Sequence, residues 1–247
     1  MYEPNVEPVL QAITPASIVL DIGGWARPFN RANWVVDAEP WGTRGYYGAT
    51  QPAQGGSREW FSERTWIQRD VCDRAPLPFA DKAFDFVICS HVLEDVRDPL
   101  GLCAEIVRVG RAGYIELPSR AVESCRGIEP GLVGWSHHRW LVDITGTHLT
   151  FMMKYHTIHA HWRYSFPARY LRSLPHERHV QWLFWTDDFT CEERTLHGPG
   201  TIADALSSYV ATRRPYPPLL VTADRLVRTA FGLPGRLVRA IQRRIGD

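Results

Sequence analysis

Two short apolar runs constrain this chain most. "SIVLDIGG" (residues 17–24) ends in Asp21 and a glycine pair, and "NWVVDAEP" (33–40) ends in Asp37 just before Pro40. Short runs that are apolar throughout and stopped by Gly or Pro read as strands buried on both faces, the habit of a parallel sheet. Three more segments repeat the pattern. "TWIQRDV" (65–71) is a third strand closing on Asp70, "AFDFVICSHVLEDV" (83–96) opens as a fourth that closes on Ser90-His91, and "AGYIELPS" (112–119) is a fifth, stopped by Pro118. Between the last two, "DPLGLCAEIVRVG" (98–110) has apolar residues at helical spacing and stops at Gly110. Strands alternating with helical segments predict an α/β fold, a parallel sheet with helices on both faces. The linker "GGWARPFNRA" (23–32) is too short and too Pro-interrupted for a crossover helix, so the first crossover is shortened.

After Pro118 the pattern changes. "RWLVDITGTHLTFMMKY" (139–155) reads as a β-hairpin around Thr145-Gly146, and "HVQWLFWTDDFTCEERTLH" (179–197) as two more strands about Thr186-Asp187-Asp188. "TIADALSSYVATRR" (201–214) is a helix capped by Thr201, with Asp204 in its first turn. The expected organisation is one domain over 1–212, with an acceptor-side elaboration at about 119–180. An Arg-rich amphipathic tail follows over 213–247, broken into two helices at Gly232 and Pro234.

In open α/β sheets, ligands bind at the carboxyl ends of the strands. Those ends carry Asp21, Gly23, Gly24, Asp37, Asp70, Val71, Ser90, His91 and Glu116. The glycines let the backbone approach a ligand closely. Asp37 is placed to accept from two ribose hydroxyls, and Asp70 from an adenine amino group. The set suits an adenosine carrying something other than a pyrophosphate, because that group would want G-x-G-x-x-G running into a helix N-terminus. The absent motif also counts against a nucleotide-dependent oxidoreductase.

Bulk properties narrow the partners. A net charge of +1 gives no global reason to expect nucleic acid. No apolar run reaches the roughly 18 residues of a membrane span, and the first residues have no signal-peptide pattern, so a cytoplasmic protein is expected. The five cysteines show no C-x-x-C spacing and read as reduced thiols. Lys82 and Lys154 are the only lysines among 28 basic residues, a bias read here as coding composition.

The runs "VLDIGG", "VVDAEP" and "LPFADKAFDFVICSHVLE" (Leu77 to Glu94) together resemble the class I S-adenosylmethionine-dependent methyltransferases. They are most like the type-11 branch that includes quinone-biosynthesis enzymes. The resemblance spans residues 17–119. It implies a Rossmann-like seven-stranded sheet, with the hairpin inserted after strand five and C-terminal helices. It also implies S-adenosylmethionine as cofactor: Asp21, Gly23 and Gly24 would line the amino-acid end, Asp37 the ribose, Asp70 and Val71 the adenine, and Ser90 and His91 the sulfonium. This chain departs from the usual Gly-x-Gly, which becomes Gly-Gly-Trp.

A hydroxyl acceptor needs a general base, and His is the natural choice. "GWSHHRW" offers His137 and His138, of which an extended strand would turn only one toward the substrate; His138 is favoured. Glu116 and Glu123 in "YIELPSRAVES" would orient the base or hold hydroxyls, or else pair with Arg120 or Arg126. "HHRW" after an acid that follows strand five is similar to type-11 proteins that tailor glycans and natural products. A sugar hydroxyl is therefore the leading acceptor, in a glycan, glycolipid or glycosylated metabolite, with Trp135, Trp140, Trp162 and Tyr164 suited to a sugar face or to the core. The alternatives are methylation of a small aromatic, quinone or amine, and a donor-binding scaffold that does not catalyse. No metal site is predicted. His156, His159 and His161 follow no strict zinc pattern, while Glu116, Glu123 and Asp143 would offer hard oxygen ligands should magnesium bind. The tail reads either as a surface for anionic membranes or as a helix packed on its own domain or across a homodimer.

Overall fold

The computed structural model describes residues 1–48, 51, 53–73, 75–213, 215, 216, 219, 222, 223 and 226. The chain forms two compact units, each assembled from separated segments: 1–119, 139–152 and 180–194 in the first, and 120–138, 153–179 and 195–247 in the second. The predicted tail helices of 213–247 lie almost wholly outside the described residues. Among the described residues, no helix is long and apolar enough to cross a membrane.

The strands in chain order are β1 (Val19–Ile22), β2 (Trp34–Asp37), β3 (Trp66–Gln68), β4 (Phe86–Ser90), β5 (Ala112–Pro118), β6 (Trp140–Thr145), β7 (His148–Met153), β8 (Val180–Thr186) and β9 (Thr190–Glu193). Six of them form the main sheet of the first unit, in the order β3-β2-β1-β4-β5-β8. The first five run parallel and β8 is antiparallel to β5. Among the described residues this sheet has six strands, where seven were expected. β9 does not join it: it pairs parallel to β7, completing a separate sheet ordered β6-β7-β9. The predicted hairpin is present, turning at Gly146, which has φ +60°.

Side-chain alternation divides the main sheet into two faces. Leu20, Ile22, Val36, Val87, Cys89, Ile115 and Leu117 face the helix α2 (Pro99–Val109) and the small sheet. Val19, Val35, Phe86, Ile88 and Tyr114 face the short helix α1 (Val6–Gln11) and the loop residues Phe29 and Phe61. α2 forms for local reasons. Asp98 accepts from Gly101 N at 2.9 Å, Pro99 fits the first turn, and Leu102, Cys103, Ile106 and Val109 make one apolar stripe. Residues 23–33 hold no helix, so the first crossover is short.

β3 ends at Gln68, two residues before the predicted end. The cause is a side-chain turn: Asp70 Oδ1 accepts from Cys72 N at 2.8 Å and bends the chain out of the sheet.

The second unit contains α3 (Arg120–Glu123), α4 (Thr157–Ala160), α5 (Ala168–Ser173) and α6 (Pro199–Thr212). α6 begins two residues before the predicted Thr201 cap. Gly198, at φ +83°, sits at its N-cap, and Pro199, which needs no N–H partner there, occupies the first turn.

Candidate active site

The alternation that builds the core also brings the chemistry together. Asp21, Asp37, Ser90 and Glu116 fall on the same side of the main sheet as Val19, Val35, Ile88 and Tyr114, close to the carboxyl ends of four strands.

Asp21 is buried, and its Oδ2 accepts from Phe29 N at 2.9 Å. Burial raises its pKa to about 6, against the lowering effect of that N–H. Gly23 has φ +78°, and a Cβ there would run into Val92 Cγ2. A Cβ on Gly24 would lie 2.5 Å from Asp21 Oδ2. Both glycines are thus required by close backbone approach. Asp37, at the end of β2, takes Trp25 N on Oδ2 and Glu39 N on Oδ1, each at 2.9 Å. Burial raises its pKa, with those two N–H groups pulling the other way. The Ala38 N–H also bonds to this carboxylate. Asp70 is exposed and pairs with Arg97 at 2.9 Å, while Val71 is half-buried against the core.

Glu116 is the most connected acid. It is fully buried and accepts from Tyr2 N at 2.8 and 2.9 Å, from Ser90 Oγ at 3.2 Å and from the Tyr114 hydroxyl. His91 Nε2 lies 3.0 Å from it. Burial alone would raise its pKa; His91, the terminal amine and Tyr114 prevail and lower it to about 2. His91 in turn is held between two carboxylates, with Nδ1 3.3 Å from Glu94. Desolvation opposes its charge, but Glu116 and Glu94 outweigh that and raise its pKa to about 9. The ring is therefore cationic at neutral pH and unsuited to act as a base. Its backbone sits at φ +58°, a region a non-glycine residue seldom adopts.

In the second unit, Glu123 is buried. Its Oε1 lies 2.7 Å from His138 Nδ1 and its Oε2 2.7 Å from Lys154 Nζ, which also donates to Trp135 O at 2.7 Å. The three side chains are 2 %, 8 % and 4 % exposed for Glu123, His138 and Lys154. His137 is exposed, with its ring 4.4 Å from that of His138.

Other candidates have structural duties. His159 Nδ1 accepts from Val133 N and His161 Nδ1 from Arg163 N, each at 3.1 Å. Trp140 donates to Val96 O and packs on the core of its unit, and Trp162 is buried. Sequence reasoning did not single out Lys154, Tyr114 or Glu94. Glu94 stands inside the "SHVLE" run, and Lys154 was marked only by its rarity.

Residues 51–115, roughly a quarter of the chain, match a family model described as a methyltransferase domain. Solved structures that align include a Haloferax volcanii methyltransferase in complex with the Trm112 methyltransferase activator (18 % identity, 47 % of this chain and 51 % of that one, TM-score 0.34). An S-adenosylmethionine-dependent methyltransferase from Mesorhizobium loti aligns at 18 % identity over 60 % of this chain and 62 % of its own, with TM-score 0.33. The N-terminal domain of EvdMO1, solved in the presence of SAH and D-fucose, aligns at 17 % identity over 58 % of each chain, also with TM-score 0.33. The alignments thus cover about half to three-fifths of those structures. No curated protein matches. The chain thus carries a segment similar to a methyltransferase domain, on a mostly parallel sheet with acids at its carboxyl edge.

Proposed function

We propose that this protein is an S-adenosylmethionine-dependent O-methyltransferase that methylates a hydroxyl group of a sugar in a glycan, glycolipid or glycosylated metabolite, with His138 as general base. The observation that carries this reading is the imidazole of His138 held 2.7 Å from a buried carboxylate, the arrangement in which a histidine keeps its basic nitrogen aimed at a proton.

The carboxyl edge of the main sheet fits the donor. Gly23 and Gly24 leave no room for side chains and keep the backbone open to the amino-acid end. Asp37, at the end of β2, would take the ribose with its remaining acceptor capacity, and Asp70 and Val71 follow at the next strand end. Ser90 and His91 would lie near the sulfonium. When bound, S-adenosylmethionine supplies an electrophilic methyl group whose leaving group is a neutral thioether. His138 would take the acceptor's hydroxyl proton at Nε2. Glu123 stabilises the imidazolium that results.

The test is methyl transfer. Pure protein is incubated with methyl-labelled S-adenosylmethionine, with and without magnesium. The panel offers mono- and oligosaccharides, sugar nucleotides, lipid-linked glycans and quinols. Label moving to a sugar, lost in His138→Ala while S-adenosylhomocysteine still binds, supports the reading. Label moving to a quinol replaces the acceptor. Full activity in His138→Ala removes the base.

A further inference from the structure

The buried Lys154 has a consequence beyond its charge. An ammonium is a donor only, with no acceptor to offer. It holds Oε2 of Glu123 at 2.7 Å and is itself held by Trp135 O at 2.7 Å. It therefore dictates that whatever atom of residue 123 faces it must be an acceptor. The opposite oxygen, Oε1, is left for His138 Nδ1 at 2.7 Å. A carboxylate oxygen accepts, so Nδ1 carries the proton and the lone pair of the neutral ring lies on Nε2. Gly134 closes the arrangement: it has φ +62°, and a Cβ there would lie 2.6 Å from both Glu123 Oε2 and Lys154 Nζ. Only a glycine lets lysine and carboxylate meet at this point.

We infer that Lys154 is a positioning residue that fixes the tautomer of His138 through Glu123, so that Nε2 is the basic nitrogen of the ring. This rests on the proposed role of His138 only for its catalytic meaning; the tautomer is a property of the free protein.

The logic gives a sharp expectation. In Glu123→Gln, the amide oxygen must turn toward Lys154, because an amide N–H cannot pair with an ammonium. The amide N–H then faces His138 Nδ1, which must accept, and the ring proton moves to Nε2. In the double variant Glu123→Gln/Lys154→Met, the amide is released from that constraint. It can turn its oxygen to Nδ1 and restore the original tautomer. Lysine is thus predicted to harm the glutamine variant that its removal repairs.

Ring nitrogen shifts of His138, read in the full chain labelled with ¹⁵N-histidine at a pH where the ring is neutral, separate the two tautomers. The expected series is Nδ1–H in the native protein, Nε2–H in Glu123→Gln and Nδ1–H again in the double variant. With an acceptor in hand, kcat should fall about a hundredfold or more in the single variant with KM little changed, and recover at least in part in the double. An Nε2–H native ring overturns the inference without any variant having to fold. A double variant that keeps the single variant's pattern overturns it as well. If the tautomers move as expected while methyl transfer does not respond, the positioning by Lys154 stands and the base reading falls.

Discussion

His91 offers the most quantitative test of the carboxyl edge, through the pH dependence of stability. Its ring lies 3.0 Å from Glu116 and 3.3 Å from Glu94. Its pKa rises from 6.5 to about 9 in the folded protein. A raised folded pKa stabilises fully below 6.5, and the contribution is lost as pH climbs through 9. Glu116 gives the other limb: lowered from 4.5 to about 2, it stabilises above 4.5 and fails as pH drops through 2. The 2.5-unit shift of His91 corresponds to about 3 kcal/mol before screening. Both shifts describe largely one ion pair and are counted once. The His91 side chain is 41 % exposed, and solvent screening reduces the figure to about 1–2 kcal/mol. The upper end is favoured because the Glu94 carboxylate is buried, so a neutral ring leaves it without its charged neighbour. The perturbation is His91→Asn, since Asn tolerates φ +58° and does not titrate. Urea unfolding of both proteins at pH 6 and pH 10 cancels the groups that titrate alike in the two. The stability gap between them should shrink by about 1–2 kcal/mol from pH 6 to pH 10. A gap that stays constant across that range would refute the claim that His91 is held as a cation.

Two further substitutions probe the donor edge. Gly23→Ala should lower stability by about 2–4 kcal/mol, from the positive φ and from the collision with Val92; Val92→Ala added to it should recover the collision component and leave the backbone component, as read by calorimetric unfolding. Asp37→Ala should weaken binding of S-adenosylhomocysteine roughly 10- to 100-fold, the loss of hydrogen bonds to a charged acceptor. Titration calorimetry reads this directly, and an unchanged affinity would take Asp37 out of the ribose site.

How much of this was legible depended on the range of the interaction. Asp21, Gly23, Gly24 and Asp37 are fixed by local grammar, because a short apolar run stopped by Gly or Pro places its last residues at a strand end. Asp70 obeyed a different local rule. Its side chain caps the turn to Cys72 at 2.8 Å, so the strand stops before it, and residue type alone does not tell that turn from a strand end. The second sheet was half legible. The hairpin of β6 and β7 is a neighbour interaction, but β9 finds β7 from about 40 residues away, Leu149 opposite Cys191, and nothing in "TCEE" announces that partner. The same distance separates sight from inference at Glu123, where the lysine is 31 residues downstream and the histidine 15.

The two lysines show that composition held more than was taken from it. In a chain whose Lys and Arg residues are otherwise all arginine, Lys82 and Lys154 are the exceptions. Lys82 Nζ donates to Val107 O at 2.8 Å and to Gly110 O and Asp187 O at 2.9 Å. Lys154 Nζ converges on Glu123 and Trp135 O. Each site is a set of acceptors arranged around a point. A compact ammonium with three donors satisfies such a set, whereas a planar guanidinium spreads its donors in a fork and matches flat, bidentate partners. A coding bias toward arginine explains why lysine is rare. It does not explain why the two that remain sit among convergent acceptors of the kind an ammonium satisfies.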